Sequence, residues 1–570
     1  MHKRRLAWLI ALTTLLVTLV AAACAPAPTP VPPTKPPAAA PTQPPAAAPT
    51  QPPTAAPTQP PAATKPPTVA PTQPPPTQPA GGTVIWGYLQ QPSRLNPIVA
   101  PDVVTKWLIE TIFDGLVAIN DKMEMIPELA TAWDISADGK VYTFKLRTDV
   151  KWHDGKPFTA EDVKFTYDSI IDPKQPNTLA KSDYALVSKI EVVDPNTVRF
   201  TLTSANASFL SKLAIGIAPK HLLEGQQLDT AAFNRKPVGT GAFIVQEWTS
   251  GQKVVLDANP NYFRGKPKIN RLIWQVIPDS NVLTVQLLNG DIDSALIIDP
   301  NDLAKFQNNA KFKVYESIGA NTYIGFNNEN PLFADPKVRQ ALNYGLDKKA
   351  IIEKILEGQG IWSTSEILAG TWAYNPSVNK YEYDLAKAKA LLDDAGWKVG
   401  ASGIREKGGK PLKFTLLTNA GDKLREAIAL FARQQWKDLG ADMEVQFLEA
   451  NTFINDRVLK SNFEVIFLAS SVNVDPDFLS RRWSCPALTT GHNFLRWCSQ
   501  DVDKLLAQGI ALTAQPDRKK VYDEIQKIIA NESPTVPIYY PKTLWAFKST
   551  LKGIVPSPLN IFWNAEQWSY

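Results

Sequence analysis

Few residues of this chain could do chemistry, and they are scattered. Apart from His2, histidine occurs only at His153, His221 and His492 in 570 residues. Trp152-His153-Asp154-Gly155 sets an imidazole beside a carboxylate, the start of a proton relay. The same four residues read as a tight turn, with Gly155 at positive φ and Asp154 bonded to its own backbone. There is no GxSxG and no HExxH, so an activated serine and a zinc-bound water both lack their usual frame. The turn is the reading adopted, and no catalytic residue, metal ligand or cofactor is assigned.

Cysteine occurs three times, at Cys24, Cys485 and Cys498, and never as CxxC. A lone Cys plus a close pair fits one modified thiol plus one disulfide. In an exported protein a Cys485–Cys498 bridge is expected, and closing so short a loop contributes roughly 3 kcal/mol. A thiolate metal site is the alternative.

Binding chemistry is better represented. Trp362 and Trp372 flank a loop running from Gly360 to Gly370, the kind of segment that lines a site. Indoles there would stack on sugar rings or pack peptide side chains. Tyr88, Trp107 and Trp483 are further aromatic candidates. Asn327 and Asn328 follow the strand Tyr323-Ile324-Gly325-Phe326, where amides could meet a ligand's polar groups or simply face solvent. Asn473 and Asp475 lie in Val472-Asn473-Val474-Asp475-Pro476-Asp477, after an apolar strand. Helix capping or turn formation is the plainer reading of Asp475 and Asp477. Arg481 and Arg482 are candidates for holding a carboxylate, or are a solvated pair.

The elements that must position these residues follow from periodicity. Strands are expected at Thr83–Tyr88, Val141–Leu146, Thr197–Thr203, Gly241–Trp248, Lys253–Ala258 and Arg271–Ile277. Helix spacing marks Val103–Val117, and Thr159 with Asp162 forms a capping-box start. Later helices are expected at Pro336–Glu357, Asp384–Ala395, Leu424–Leu439 and Gln515–Asn531. They alternate with strands at Lys413–Thr418, Asp442–Phe447 and Glu464–Ala469. Alternation of this kind argues for an α/β fold. A net charge of +5 over 570 residues is too weak to argue for nucleic acid.

The N-terminus reads as an address. His2-Lys3-Arg4-Arg5 is a basic start, and the apolar run Leu6 to Ala23 ends in small residues before Cys24. Ala21-Ala22-Ala23-Cys24 resembles the lipobox of bacterial lipoproteins, with Ala21 where Leu is usual. The resemblance implies that Cys24 is acylated and becomes the mature N-terminus; an uncleaved anchor helix would give the same topology. Ala25 to Ala80 is low complexity, with the unit Ala-Ala-Ala-Pro-Thr-Gln-Pro-Pro recurring at period eight as at Pro41, Pro49 and Pro57, and has almost nothing to bury. At roughly 3.1 Å per residue such a polyproline tail reaches on the order of 150 Å, a semi-rigid tether.

An ordered series of motifs carries a family resemblance. It runs through Ile126-Pro127-Glu128-Leu129-Ala130-Thr131-Ala132-Trp133, Tyr142-Thr143-Phe144-Lys145-Leu146-Arg147 and Trp152 to Val163. It continues at Pro237-Val238-Gly239-Thr240-Gly241-Ala242-Phe243, Asn259-Pro260-Asn261-Tyr262 and Asp335 to Leu342. Asp394-Ala395-Gly396-Trp397 and Val536-Pro537-Ile538-Tyr539-Tyr540 close it. The chain thus resembles the family 5 extracellular solute-binding proteins of ABC transporters, the peptide- and nickel-binding group. Ser484-Cys485 with Asn493 to Cys498 resembles its dipeptide-binding branch.

The resemblance implies a two-lobed α/β fold of the periplasmic-binding-protein kind (class II, cluster C), with an extra inserted domain and a hinge between lobes. The implied division is 1–24 signal, 25–80 stalk, 81–119 first lobe, 120–234 inserted domain, 235–322 first lobe, 323–532 second lobe and 533–570 first lobe again. It implies a non-enzymatic receptor, expected to be monomeric, that hands a ligand to ABC permease subunits. It also puts the early loop, with Asn96 and Asp102, on the ligand side beside Trp107, and a hinge crossing near Asn327. In peptide-binding members an acid three residues before the Asp-Pro-Asp holds the peptide's α-amino group; here that position is Val472. Short peptides are the leading ligand, and an oligosaccharide, opine, amine or metal chelate is the alternative. A carboxylate within reach of an amine in the cleft would favour peptide, and indoles and amides without charge would favour sugar. An exported hydrolase and a purely structural surface protein are the remaining alternatives.

Overall fold

The computed structural model describes residues 81–99, 103–175, 181–297, 299–471, 473–490 and 493–570. All belong to the unit Pro75–Tyr570. The expected signal, stalk and lipidated Cys24 lie outside the described residues, as do Asp102, Val472 and His492. Among the described residues no helix is long and apolar enough to cross a membrane.

Two lobes share one twelve-stranded mixed sheet. In the first, Thr83–Tyr88 pairs in parallel with Arg271–Val276 and with Ser294–Leu296, and the hairpin Phe243–Thr249/Lys253–Ala258 extends the edge. In the second, Lys413–Asn419 lies parallel to Asp442–Leu448 and to Val465–Ser470, and Asn321–Phe326 runs antiparallel to Val465–Ser470. The strand Thr535–Lys548 belongs to both. Thr535–Tyr539 pairs with Asn321–Phe326 and Tyr539–Pro541 with Gly360–Trp362. Lys542–Lys548 pairs with Phe312–Ile318, and Trp545–Phe547 also with Ser294–Leu296. Its partners therefore change at Pro541/Lys542, inside the segment expected to lie wholly in the first lobe. Gly319 N–H donates to the Pro541 carbonyl at 2.8 Å beside this change.

Alternation along the crossing strand builds two cores. Trp545 and Phe547 join Trp86, Trp274, Phe562 and Trp568 on one face of the first lobe, while Leu544 and Ala546 join Leu283, Leu287 and Ile292 on the other. The second lobe's sheet is likewise covered on both faces. Ile324, Phe326, Phe467 and Trp436 fill one side, and Tyr323, Ile466, Trp483 and Tyr522 the other. Burial on both faces explains why Asn321–Phe326 is buried throughout its length.

A separate four-stranded antiparallel sheet is built from strands between Ala130 and Leu202. Its order is Ala130–Ile135, Val141–Leu146, Thr197–Leu202, Val187–Asp194. The helix Ala160–Ile171 starts as expected: the Asp162 carboxylate accepts from Thr159 N–H at 3.0 Å. Two expected helices end early. Val103–Ile112 stops before a strand at Val117–Ile119, and Pro336–Tyr344 stops at Gly345. In the second case Asp347 accepts from Ala350 N–H at 2.9 Å and caps a new turn, which breaks the run to Glu357.

Candidate ligand-binding cleft

Strand direction locates the site. In open α/β sheets ligands bind outside the carboxyl ends of the strands. The parallel strands of the second lobe end at Asn419, Leu448 and Ser470. Asn321, at the start of its antiparallel strand, is registered opposite Ser470. In the first lobe the parallel strands end at Tyr88, Val276 and Leu296. Leu296 is registered with Trp545, three residues past the partner change of the crossing strand. Both carboxyl edges thus converge on the hinge.

The first-lobe wall is aromatic. Tyr88 is half-buried, with its ring centroid 5.8 Å from Trp107 and 5.3 Å from Trp274. Burial raises the Tyr88 pKa, so the phenol is neutral. Trp107 stands edge-on to Trp545 at 5.5 Å, its Nε1–H held by the Leu559 carbonyl at 3.0 Å. Trp545 Nε1–H donates to Ser317 Oγ at 3.1 Å, which ties this wall to the hinge. Asn96 belongs behind it. It is fully buried, donating to Asn234 Oδ1 at 2.9 Å and accepting from Ile98 N–H at 3.0 Å. The expectation that Asn96 meets ligand gives way to a structural role, because loop backbone and Asn234 take up its amide.

The second-lobe wall is polar. Arg482 Nε lies 2.7 Å from Glu366 Oε2, with both side chains nearly buried. The guanidinium sits 4.4 Å over the Tyr323 ring and Nη1 donates to Ser470 Oγ at 3.2 Å. Burial raises the Glu366 pKa against the pull of Arg482. Trp362 is half-buried on the strand registered with Tyr539 and Pro541, with Lys349 Nζ 5.4 Å from its ring. Trp483, expected on the wall, is fully buried in the core, edge-on to Trp497 at 5.5 Å. Asn327 lies at the wrong end of its strand: its Nδ2 donates to the Phe463 carbonyl at 3.1 Å, far from the edge marked by Asn321. Asn328 likewise holds the Leu495 carbonyl at 3.0 Å.

The inserted sheet and the second lobe enclose a cavity of about 800 Å³ lined by Met125, Tyr142, Leu210, Trp372, Val474 and Arg518, among others. Trp372 is half-buried under the Arg518 guanidinium at 5.2 Å. Asp475 borders this space, but its carboxylate is engaged twice by Arg518, at 2.7 Å each. Its charge is thus balanced within the protein, unlike that of an acid kept free for an ammonium group. Asn473 is exposed, its Nδ2 bonded to the Ser471 carbonyl at 2.9 Å. Asp477 caps nothing with ligand either, since Ser480 and Ser208 hold it at 2.7 and 3.0 Å.

His153 forms no relay. Its Nδ1 accepts from Gly239 N–H at 3.1 Å and its Nε2–H faces the Gly241 carbonyl at 3.0 Å. Burial lowers its pKa to about 4. Asp154 pairs with His221 at 2.7 Å and accepts from Lys156 N–H, and Gly155 has φ +87°. The disulfide Cys485–Cys498 is formed, with Cα atoms 5.0 Å apart, which removes the thiolate metal alternative.

Sequence reasoning missed Asn321. It is 2% exposed, with neither amide atom hydrogen-bonded. The available signal was an asparagine opening an otherwise apolar strand just after Gly319-Ala320.

Comparison with known proteins accords with this geometry. The family model "Bacterial extracellular solute-binding proteins, family 5 Middle" matches residues 124–487. The chain is 31% identical to the oligopeptide-binding protein AppA of Bacillus subtilis over 501 residues, covering 86% of this chain and 91% of that one. The crystal structure of AppA with a nonapeptide superposes with a TM-score of 0.70 at 29% identity, covering 86% and 99% of the two chains. NikZ from Campylobacter jejuni, in complex with Ni(L-His), superposes with a TM-score of 0.73 at 31% identity, with the same coverage. The aromatic and polar walls meeting at a shared strand are those of a solute-binding protein, and the chain belongs to family 5 of the bacterial extracellular solute-binding proteins.

Proposed function

We propose that this protein is the lipid-anchored receptor of an ABC importer, binding short peptides in the interlobe cleft and delivering them to the permease. The observation that carries the reading is the convergence of both lobes' carboxyl edges on one hinge, with Trp107 and Tyr88 on one side and Asn321 on the other. Closure of the lobes traps ligand, and ligand shifts that equilibrium by its preference for the closed state. Cys24 carries the acyl anchor, the repeat to Ala80 is the tether, and the receptor acts as a monomer without a cofactor or turnover. The division into three first-lobe segments, an inserted domain and a second lobe belongs to this reading.

A neutral ligand, such as an oligosaccharide, is the second reading. It is favoured by one observation: Asp475 and Arg482 are both already ion-paired, leaving indoles and an amide on the walls. Mass spectrometry of small molecules released on denaturing the natively purified chain separates the two. Recovery of peptides is the expected result. Release of nothing, with no heat on titrating peptide and sugar libraries, would overturn the receptor reading. Replacing Cys24 with Ser is expected to release the protein from the membrane or leave the signal uncleaved; unchanged, fully processed attachment would defeat the anchor.

A further inference from the structure

Native proteins seldom bury a polar side chain with no partner. Asn321 is such a side chain: it is 2% exposed, and neither its amide oxygen nor its amide nitrogen makes a hydrogen bond. It stands at the hinge end of its strand, two residues from the Gly319–Pro541 contact. It is registered opposite Ser470, so the two side chains share a face of the sheet. Strand alternation puts Tyr323 on that face too. Ser470 Oγ accepts from Arg482, whose charge is balanced by Glu366 at 2.7 Å. The cross-strand neighbour of Asn321 is therefore a hydroxyl bonded to a charge-balanced Arg–Glu pair.

An amide that offers one acceptor and one donor side by side is complementary to a group that offers one donor and one acceptor. A peptide unit does so, and so does a pair of neighbouring sugar hydroxyls. An ammonium or carboxylate does not, and a charged terminus placed here would lose water without gaining a counter-ion. We propose that Asn321, flanked by Ser470 and the Arg482–Glu366 pair, is a specificity-determining residue that binds an uncharged donor–acceptor group of the ligand. The receptor then recognises the middle of its ligand and not a charged end. This deepens the receptor reading above and rests on it.

Two libraries test the proposal on the full chain purified in detergent. One is mixed-sequence tri- to pentapeptides, free and with N-acetyl and C-amide ends. The other is neutral oligosaccharides of two to five units. Native mass spectrometry and calorimetry read binding to wild type and to Asn321→Leu. Blocked peptides are expected to bind within about threefold of free ones, and N321L to lose tenfold or more while melting no lower than wild type. A purely structural asparagine would not combine those two results. If N321L does not fold, Asn321→Asp takes its place, with the same loss expected for blocked peptides.

Binding of free peptides alone overturns the proposal and leaves the peptide reading standing. Binding of oligosaccharides alone, lost in N321L, supports the proposal and removes the peptide reading. Unchanged affinity in the variant, or no binding from either library, overturns the proposal.

Discussion

Ser208 Oγ lies 3.0 Å from Asp477 Oδ2, across 269 residues of chain. The contact ties the segment after the four-stranded sheet to the helix Phe478–Trp483, and Ala207 N–H reinforces it by donating to the Ile510 carbonyl at 2.8 Å. Burial raises the Asp477 pKa, with Asp475 adding to the effect and Ser480 and Ser208 opposing it. Ser208→Ala is expected to destabilise the closed form, of which this contact would be a latch, by about 1–2 kcal/mol. Small-angle scattering should show a larger mean radius, and ligand affinity should fall roughly tenfold. Asp477→Asn should keep the closed form, because an amide at 477 still meets the Ser208 hydroxyl. Identical scattering from S208A and wild type counts against the latch.

His153 makes stability fall in acid. Its folded pKa of about 4 is below its ordinary 6.5, because burial disfavours the imidazolium. The unfolded chain therefore takes up a proton that the folded one refuses. The contribution is fully present above pH 6.5 and is lost as pH falls from 6.5 towards 4, by about 3 kcal/mol in all. Calorimetric melts across this range should show the fall, and His153→Gln should flatten it.

Glu128 acts with the opposite sign. Burial, with Asp114 nearby, raises its pKa to about 8 against the pull of Arg264 at 3.4 Å. The folded state holds a proton the unfolded state has lost, so stability is present below the ordinary carboxylate range and is lost as pH rises towards 8. Wild type should lose on the order of 1–3 kcal/mol relative to Glu128→Gln between pH 6 and 9. A constant gap between the two melting curves would refute it.

The Cys485–Cys498 bridge closes a loop of 13 residues that presses Phe494 to within 5.5 Å of the Arg482 guanidinium. Replacing both cysteines with serine is expected to cost about 3 kcal/mol in urea unfolding. It should also weaken ligand binding, since the loop backs the polar wall. An unchanged unfolding midpoint would contradict this.

The strands and helices were largely legible in the sequence, because their periodicity is local. The strand at Val465–Ser470 and the helix at Lys423–Leu439 fall within a residue of expectation. The site was legible only in part. Asn327 was placed on the right strand at the wrong end, since a sequence does not state which end of a strand meets the hinge. Arg482 was weighed as binding a carboxylate or as one of a solvated pair, and the structure buries it against Glu366 at 2.7 Å. Its partner Glu366 arrives from a distant loop, and Asp475 finds Arg518 43 residues away. Such pairings are made by the fold and leave no spacing to read. Tyr88 and Trp107 were legible as aromatics near the first strand, and the fold sets their ring centroids 5.8 Å apart.

The strand Thr535–Lys548 is the last in chain order, yet it sits at the middle of the shared sheet. Neither lobe can close its hydrogen-bond ladder until that strand has emerged. Until then its direct neighbours, Asn321–Phe326 and Ser294–Leu296, each lack a partner on one side. One strand thus completes the ladders of both lobes, so a break in it would open both together.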